Sequence, residues 1–221
     1  MTTGDFFCYG SNDSIRILLN ISTGDNMSRN TLFHAFEYAI PIEVCDVIMK
    51  EGQALTHAQA TLKIDGNLAV KDDIRKTRLG WMPEDNWVNG LLANFIAQAN
   101  KSIWNFDYQC SQGVQFGIYG EGSHYDWHKD EYDLPFDDEK RSEWRGLSRK
   151  LTTAASLNAG DEYEGGDFEV MDPWGNIVAV PELRNPGTVV VFPAYVVHRV
   201  APVISGTRYS IVSWHLGAPF R

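Results

Sequence analysis

From about residue 103 onward the chain is a succession of short strand-like runs broken by glycine, proline and aspartate: Gly113–Tyr119, Leu151–Leu157, Asp167–Met171, Gly187–Phe192, Tyr195–Val200 and Arg208–His215. Runs of this kind, bounded by turn formers, read as strands. Short strands in series must pair and close over one another, and the economical solution is an antiparallel sandwich or barrel. Helical periodicity is confined to the front. Pro41 opens one helix, with Val44, Cys45, Ile48 and Met49 on a stripe that ends before Gly52. Pro83 opens a second, in which Trp87, Leu91, Phe95 and Ala99 form a stripe beside Val88, Leu92 and Ile96. So wide an apolar face packs on the outside of a sheet. The expected class is mainly β with flanking helices, around a double-stranded β-helix (jelly-roll) core.

The expected organisation is an N-terminal arm or accessory strands over residues 1–30, helical support over 31–102 and the jelly-roll core over 103–221. In the arm, Ile15, Ile17 and Leu19 suggest a strand that ends near Gly24-Asp25-Asn26. Residues 61–80 are polar and mixed, with a strand at Leu62–Ile64 and a turn at Asp65-Gly66-Asn67. Residues 131–148 fit no strand, and so long a connection inside a domain suggests a loop over a site.

The formal net charge of -10 argues against a grip on nucleic-acid phosphates, which needs clustered lysine and arginine. Three cysteines without a CxxC pair suggest a reducing compartment. No signal peptide and no apolar run long enough to cross a membrane is visible, so the expected location is cytoplasmic, with no membrane partner.

The chemistry concentrates in Tyr125-Asp126-Trp127-His128-Lys129-Asp130 and in Val196-Val197-His198-Arg199-Val200, seventy residues on. Residues two apart on a strand share a face, so His128 and Asp130 can converge on one ion. With His198 from another strand they make two imidazoles and one carboxylate, the set that holds Fe(II) in non-haem oxygenases. Zinc hydrolases use the same donors, so the ligands alone do not fix the metal. His124-Tyr125-Asp126 is a second His-x-Asp, and an ideal strand would turn 124, 126, 128 and 130 to one side. Spacing does not choose between the pairs.

Several motifs in order carry a family resemblance over Leu32 to Gly217. They are Tyr119-Gly120-Glu121-Gly122, Tyr125-x-Trp127-His128-x-Asp130, Tyr163-Glu164-Gly165-Gly166-Asp167-Phe168, and a closing stretch from Phe192-Pro193 through His198-Arg199-Val200 and Gly206-Thr207-Arg208-Tyr209-Ser210 to Trp214. The chain resembles the 2-oxoglutarate- and Fe(II)-dependent dioxygenases in their prolyl-4-hydroxylase-like branch. That resemblance selects His128, Asp130 and His198 as metal ligands. It makes Arg208 the anchor for the far carboxylate of 2-oxoglutarate, with Tyr119 and Ser210 assisting. A guanidinium suits that task as a charged, two-pronged donor.

What the resemblance implies is a hydroxylase that takes Fe(II), 2-oxoglutarate and O2, with ascorbate as an accessory, and releases succinate and CO2. Its partner would be a peptide or protein substrate, proline-rich in the first reading, held by aromatics such as Trp127, Tyr132, Trp144, Trp174 and Tyr195. A non-prolyl side chain, a small molecule, a zinc hydrolase and a non-catalytic jelly-roll binding module stand as alternatives.

Two geometric expectations remain. On the strand Leu151–Leu157, the alternate residues Leu151, Thr153, Ala155 and Leu157 face inward, and small Thr153 leaves room for the co-substrate. A hairpin centred on Ser205-Gly206 would pair Val203 with Arg208 and put His198 and Arg208 on opposite faces, unless Pro202 breaks the ladder.

Overall fold

The computed structural model describes residues 31–64, 67–137 and 141–220, so the expected arm over 1–30 lies outside it. The first elements are β1 (His34–Phe36), helix α1 (Ile42–Gln53), β2 (Ala58–Gln59), the hairpin β3 (Leu62–Ile64) and β4 (Asn67–Ala69), β5 (Arg75–Lys76) and β6 (Arg78–Trp81). Helix α2 (Trp87–Ala99) follows, then β7 (Cys110–Ser111), β8 (Gln115–Tyr119), β9 (His124–His128) and β10 (Ser148–Ser156). The chain closes with β11 (Tyr163–Gly165), β12 (Phe168–Met171), β13 (Ile177–Ala179), β14 (Val189–Pro193), β15 (His198–Val200), β16 (Val203–Gly206) and β17 (Arg208–Gly217).

Two antiparallel sheets face each other. The larger runs β1-β14-β10-β17-β8-β6-β2, with β7 also on β17; the smaller runs β13-β12-β15-β9-β5. This is the jelly roll expected, and both helices lie outside the larger sheet. Cys45 and Ile48 of α1 and Val88, Leu92, Phe95, Ile96 and Ala99 of α2 pack on Phe116, Leu151, Ala155, Val189, Val191 and Ile211 of its strands. Gly52 makes the close approach of α1 possible, because a Cβ there would lie 2.3 Å from the Phe116 ring. A second core, with Tyr119, Ala154, Phe168, Val170, Val190 and Phe192, fills the space between the sheets.

Helix α2 starts later than Pro83. Asn86 caps it by accepting a hydrogen bond from the Val88 N–H at 2.9 Å. Trp87 therefore falls at the helix edge, 44% exposed, and donates to Glu51 of α1 rather than joining the core.

The larger sheet is buried on both faces, so the alternation of apolar residues along β10 does not reveal which side is which. The expected phase is reversed: Leu151, Ala155 and Leu157 pack toward the helices, while Thr152 and Ala154 face the space between the sheets. The Ser205-Gly206 hairpin does not form. The segment β16 pairs with β11, and β17 joins β8 and β10 in the larger sheet. The chain thus crosses from one sheet to the other between His198 and Arg208, and both side chains line the same cavity.

Candidate metal and co-substrate site

His128 and His198 sit opposite each other on the antiparallel neighbours β9 and β15. Between His198 and Val200 on one strand and His128 and Tyr125 on the other, two steps oppose three. That bulge resets the phase of β9 and turns both Tyr125 and His128 into the cavity. Their rings stack, with centroids 3.5 Å apart and planes 13° from parallel. The competing pair is left outside the cavity wall: the His124 ring nitrogens contact backbone carbonyls of Gly122 and Asp73, and Asp126 is exposed and accepts from the Trp127 N–H. The extra residue explains why the motif spaces its Tyr and His by three.

Asp130 lies just beyond β9, tied by its N–H to the Ala194 carbonyl at 2.9 Å. Its carboxylate is 3.8 Å from Nε2 of His128 and 3.6 Å from Nε2 of His198. One donor atom from each residue lies within 4.8 Å of the others, in the one such group of three or more His, Cys, Asp or Glu residues among the described residues.

The surroundings prepare these donors for a cation. Nδ1 of His128 donates to the Asp126 carbonyl at 2.7 Å and Nδ1 of His198 to the Val196 carbonyl at 2.9 Å, which leaves each Nε2 with its lone pair. Burial first, then the neighbouring His198, pushes the His128 pKa down to about 3, so the ring is neutral near pH 7. For Asp130, burial opposes the charged form. The imidazoles, the Arg149 guanidinium and the Thr152 hydroxyl outweigh it and hold the pKa below the usual carboxylate range. Thr152 Oγ1 donates to Asp130 Oδ2 at 2.7 Å, and Arg149 Nη1 reaches the Asp130 carbonyl at 3.3 Å. Two imidazoles with their Nδ1 sides tied to backbone carbonyls, beside an ionised carboxylate, are what a divalent metal requires, and the residues fit one.

Across the cavity, β17 presents Arg208, Ser210, Val212 and Trp214 inward. Arg208 is 3% exposed, bonds Ser210 Oγ at 3.2 Å and lies 5.3 Å from the ring centre of Tyr119, its partner in register on β8. No carboxylate lies within ion-pair distance of it among the described residues. A buried cation without an anion points to a missing anionic ligand. Gly117 keeps that end open, since a Cβ there would sit 3.1 Å from Tyr119 and 3.3 Å from Ser210 Oγ.

Of the residues singled out in the sequence, His128, Asp130, His198, Arg208, Tyr119 and Ser210 line this one cavity. Thr153 does not. It points to the helix side, where Oγ1 bonds Nε2 of His215 at 3.0 Å, and Thr152 takes the inward place. Trp127, Tyr132, Trp144, Trp174 and Tyr195 do not line the cavity either. Trp127 stacks with Arg199, Tyr132 and Trp144 flank Phe136 in the 131–148 loop, and Tyr195 meets Phe220. Sequence reasoning missed Thr152, Arg75, Gln115 and Arg149. Only Thr152 had a usable signal, as the neighbour of a residue chosen one step out of phase.

The double-stranded β-helix thus carries two histidines and an aspartate at its mouth, facing an arginine without an ion-pair partner among the described residues. Residues 114–216 match the 2OG-Fe(II) oxygenase superfamily, so the jelly-roll segment of this chain is similar to that family. Similar curated proteins include a PKHD-type hydroxylase of Xylella fastidiosa (strain 9a5c), 30% identical over 101 residues, covering 45% of this chain and 42% of that protein. Another, from Synechococcus sp. (strain CC9605), is 35% identical over 94 residues, 42% of this chain and 36% of its own. The chain spans less than half the length of these relatives. Among solved structures, a Pseudomonas putida prolyl-4-hydroxylase superposes with a TM-score of 0.62 at 19% identity, covering 83% of this chain and 91% of that one. A Trichoplax adhaerens prolyl hydroxylase, solved with a hypoxia-inducible-factor peptide fragment, gives 0.62 at 15% identity, with 86% and 84% covered. These likenesses establish the jelly-roll fold.

Proposed function

We propose that the protein is an Fe(II)- and 2-oxoglutarate-dependent hydroxylase acting on prolyl residues of a peptide or protein, with succinate and CO2 as co-products. The carrying observation is the single cavity that joins His128, Asp130 and His198 to the unpaired Arg208. The curated relatives are named hydroxylases, and the names of the structural neighbours favour prolyl hydroxylation over other substrates.

In this reading His128, Asp130 and His198 hold the metal, and Arg208 with Ser210 and Tyr119 holds the far carboxylate of 2-oxoglutarate. The bound iron would supply the redox chemistry that couples loss of CO2 from the co-substrate to insertion of oxygen into a C–H bond. The chain's own part is positional. Backbone carbonyls of Asp126 and Val196 fix the ligand tautomers, Thr152 orients the carboxylate, and Phe168, Phe192, Val200 and Val212 keep the wall of the cavity apolar. Tyr125 is pushed up to about 12 by burial first, so it stays a neutral phenol.

A proline-rich substrate, ascorbate as an accessory reductant and a cytoplasmic location complete the proposal. No helix among the described residues is long and apolar enough to cross a membrane. The test is mass spectrometry of a proline-rich peptide library after incubation with Fe(II), 2-oxoglutarate and ascorbate. One added oxygen on proline, with matching succinate, supports the reading. Oxygen on another residue, or succinate without any product, moves the assignment to a different substrate.

A further inference from the structure

The cavity holds a second buried guanidinium that the chemistry above does not use. Arg75 comes from β5, the edge strand of the smaller sheet, in register with Tyr125 on β9. It is only 9% exposed and lines the same cavity as the metal ligands and Arg208. Its guanidinium lies 4.2 Å from the centre of the Tyr125 ring, which itself stacks on His128. One N–H is used: Nη2 donates to Gln115 Oε1 at 2.9 Å. Nε is buried with no hydrogen-bond partner, and no carboxylate is within ion-pair distance among the described residues.

We propose that Arg75 anchors a carboxylate of the primary substrate and so sets specificity. The inference rests on the oxygenase reading and deepens it. A bridge from Arg75 to Gln115 alone would not need a charge, and an unpaired buried cation is costly. The charge of the cavity identifies what is missing. Its permanently charged guanidinium walls are Arg75 and Arg208, and Asp130 is the one carboxylate on its lining. A divalent metal and the dianionic co-substrate cancel each other. Asp130 offsets one guanidinium, and one positive charge is left without an anion. Arg149, buried behind Asp130 with no carboxylate within ion-pair distance among the described residues, adds to the same sign.

A second unpartnered group agrees. Nε1 of Trp214, also on the cavity wall, is a buried donor with no acceptor. Both unsatisfied groups are donors, so the absent ligand group is an acceptor, and beside a guanidinium an anionic one. A carboxylate matches the planar fork of arginine. It can come from the C-terminus of a peptide, from an Asp or Glu side chain near the target residue, or from a free amino acid.

Calorimetric titration of the Mn(II)- and 2-oxoglutarate-loaded protein tests this with matched ligands. A short proline peptide ending in a carboxylate is compared with its amide. An amidated peptide with Glu beside proline is compared with its Gln counterpart, and free proline with prolinamide. In one pair the carboxylate form should bind at least about tenfold more tightly, the difference a buried charge-assisted bond supplies. That preference should fall below about threefold in Arg75→Gln, while 2-oxoglutarate affinity stays unchanged. Arg75→Lys, which keeps the charge without the fork, should retain part of the preference and serves if the Gln variant does not fold. Equal affinities within every pair, or no binding of any member, overturns the proposal. So does a loss of 2-oxoglutarate affinity in Arg75→Gln with substrate preference intact, which would give Arg75 to the co-substrate. A native protein that takes up neither Mn(II) nor 2-oxoglutarate instead refutes the oxygenase reading itself.

Discussion

Replacing Thr152 by valine removes one hydroxyl and nearly nothing else. Thr152 is 1% exposed, and its Oγ1 donates at 2.7 Å to Oδ2 of the buried Asp130 carboxylate. Valine keeps the shape and the β-branching, so strand β10 should be undisturbed. The carboxylate then loses a charge-assisted bond, worth about 1.5–3 kcal/mol in a buried setting. Part of that falls on the metal-free protein, where Asp130 becomes less satisfied. The rest falls on the metal complex, because the carboxylate is no longer held in its rotamer. Groups that orient ligands in this way typically govern about 10–100-fold in metal affinity. Thr152→Val should therefore weaken Mn(II) or Co(II) binding by at least about tenfold, read by calorimetry on protein whose fold is checked by circular dichroism. Thr153→Val, on the far side of the same strand, should leave metal affinity within about twofold. Equal metal affinity in the native and Thr152→Val proteins, or a larger loss in Thr153→Val, would refute the assignment of Thr152 to Asp130.

Other expectations follow from the same geometry. Arg208→Gln should raise the dissociation constant for 2-oxoglutarate by about a hundredfold, since the lost bond joins two charged groups, with Mn(II) affinity unchanged; competition calorimetry reads both. Gly117→Ala, which crowds Tyr119 and Ser210, should weaken 2-oxoglutarate but not metal binding in the same assay. Gly52→Ala should destabilise the protein by about 1–3 kcal/mol in urea unfolding, because its methyl overlaps the Phe116 ring. Burial pushes His215 down to about 3, so it is neutral when folded and protonates near pH 6.5 when unfolded. The unfolded state then binds the extra proton. Stability from this residue is complete above pH 6.5 and falls by about 1.4 kcal/mol per pH unit below it, down to the folded pKa. Urea unfolding at pH 7 and pH 5 should show about 2 kcal/mol of that loss, absent in His215→Gln.

The jelly roll was legible because turn residues punctuate the strands regularly, and the clustering of His128, Asp130 and His198 because a family motif removed the choice that spacing left open. The phase of β10 was not legible. Every residue from Ser148 to Ser156 is buried, so polarity carries no record of which face meets the helices. The relation of His198 to Arg208 was hidden for a different reason. It depends on the chain leaving one sheet for the other between them, a long-range event with no local signature beyond Pro202. Arg75 belongs to a two-residue strand in a polar stretch, and its role is set by β9 and β8, which lie far along the chain. The bulge at Tyr125–His128 was written in the sequence as a three-residue spacing, but its meaning needs the partner strand.

The most direct test of the central claim is anaerobic titration of the purified protein with Fe(II) and then 2-oxoglutarate, followed by visible absorbance. A metal-to-ligand charge-transfer band that saturates at one equivalent of each, is lost in Asp130→Ala, and needs far more 2-oxoglutarate in Arg208→Gln is the expected result. A native protein that shows no band, or one whose band survives in Asp130→Ala, would contradict the account.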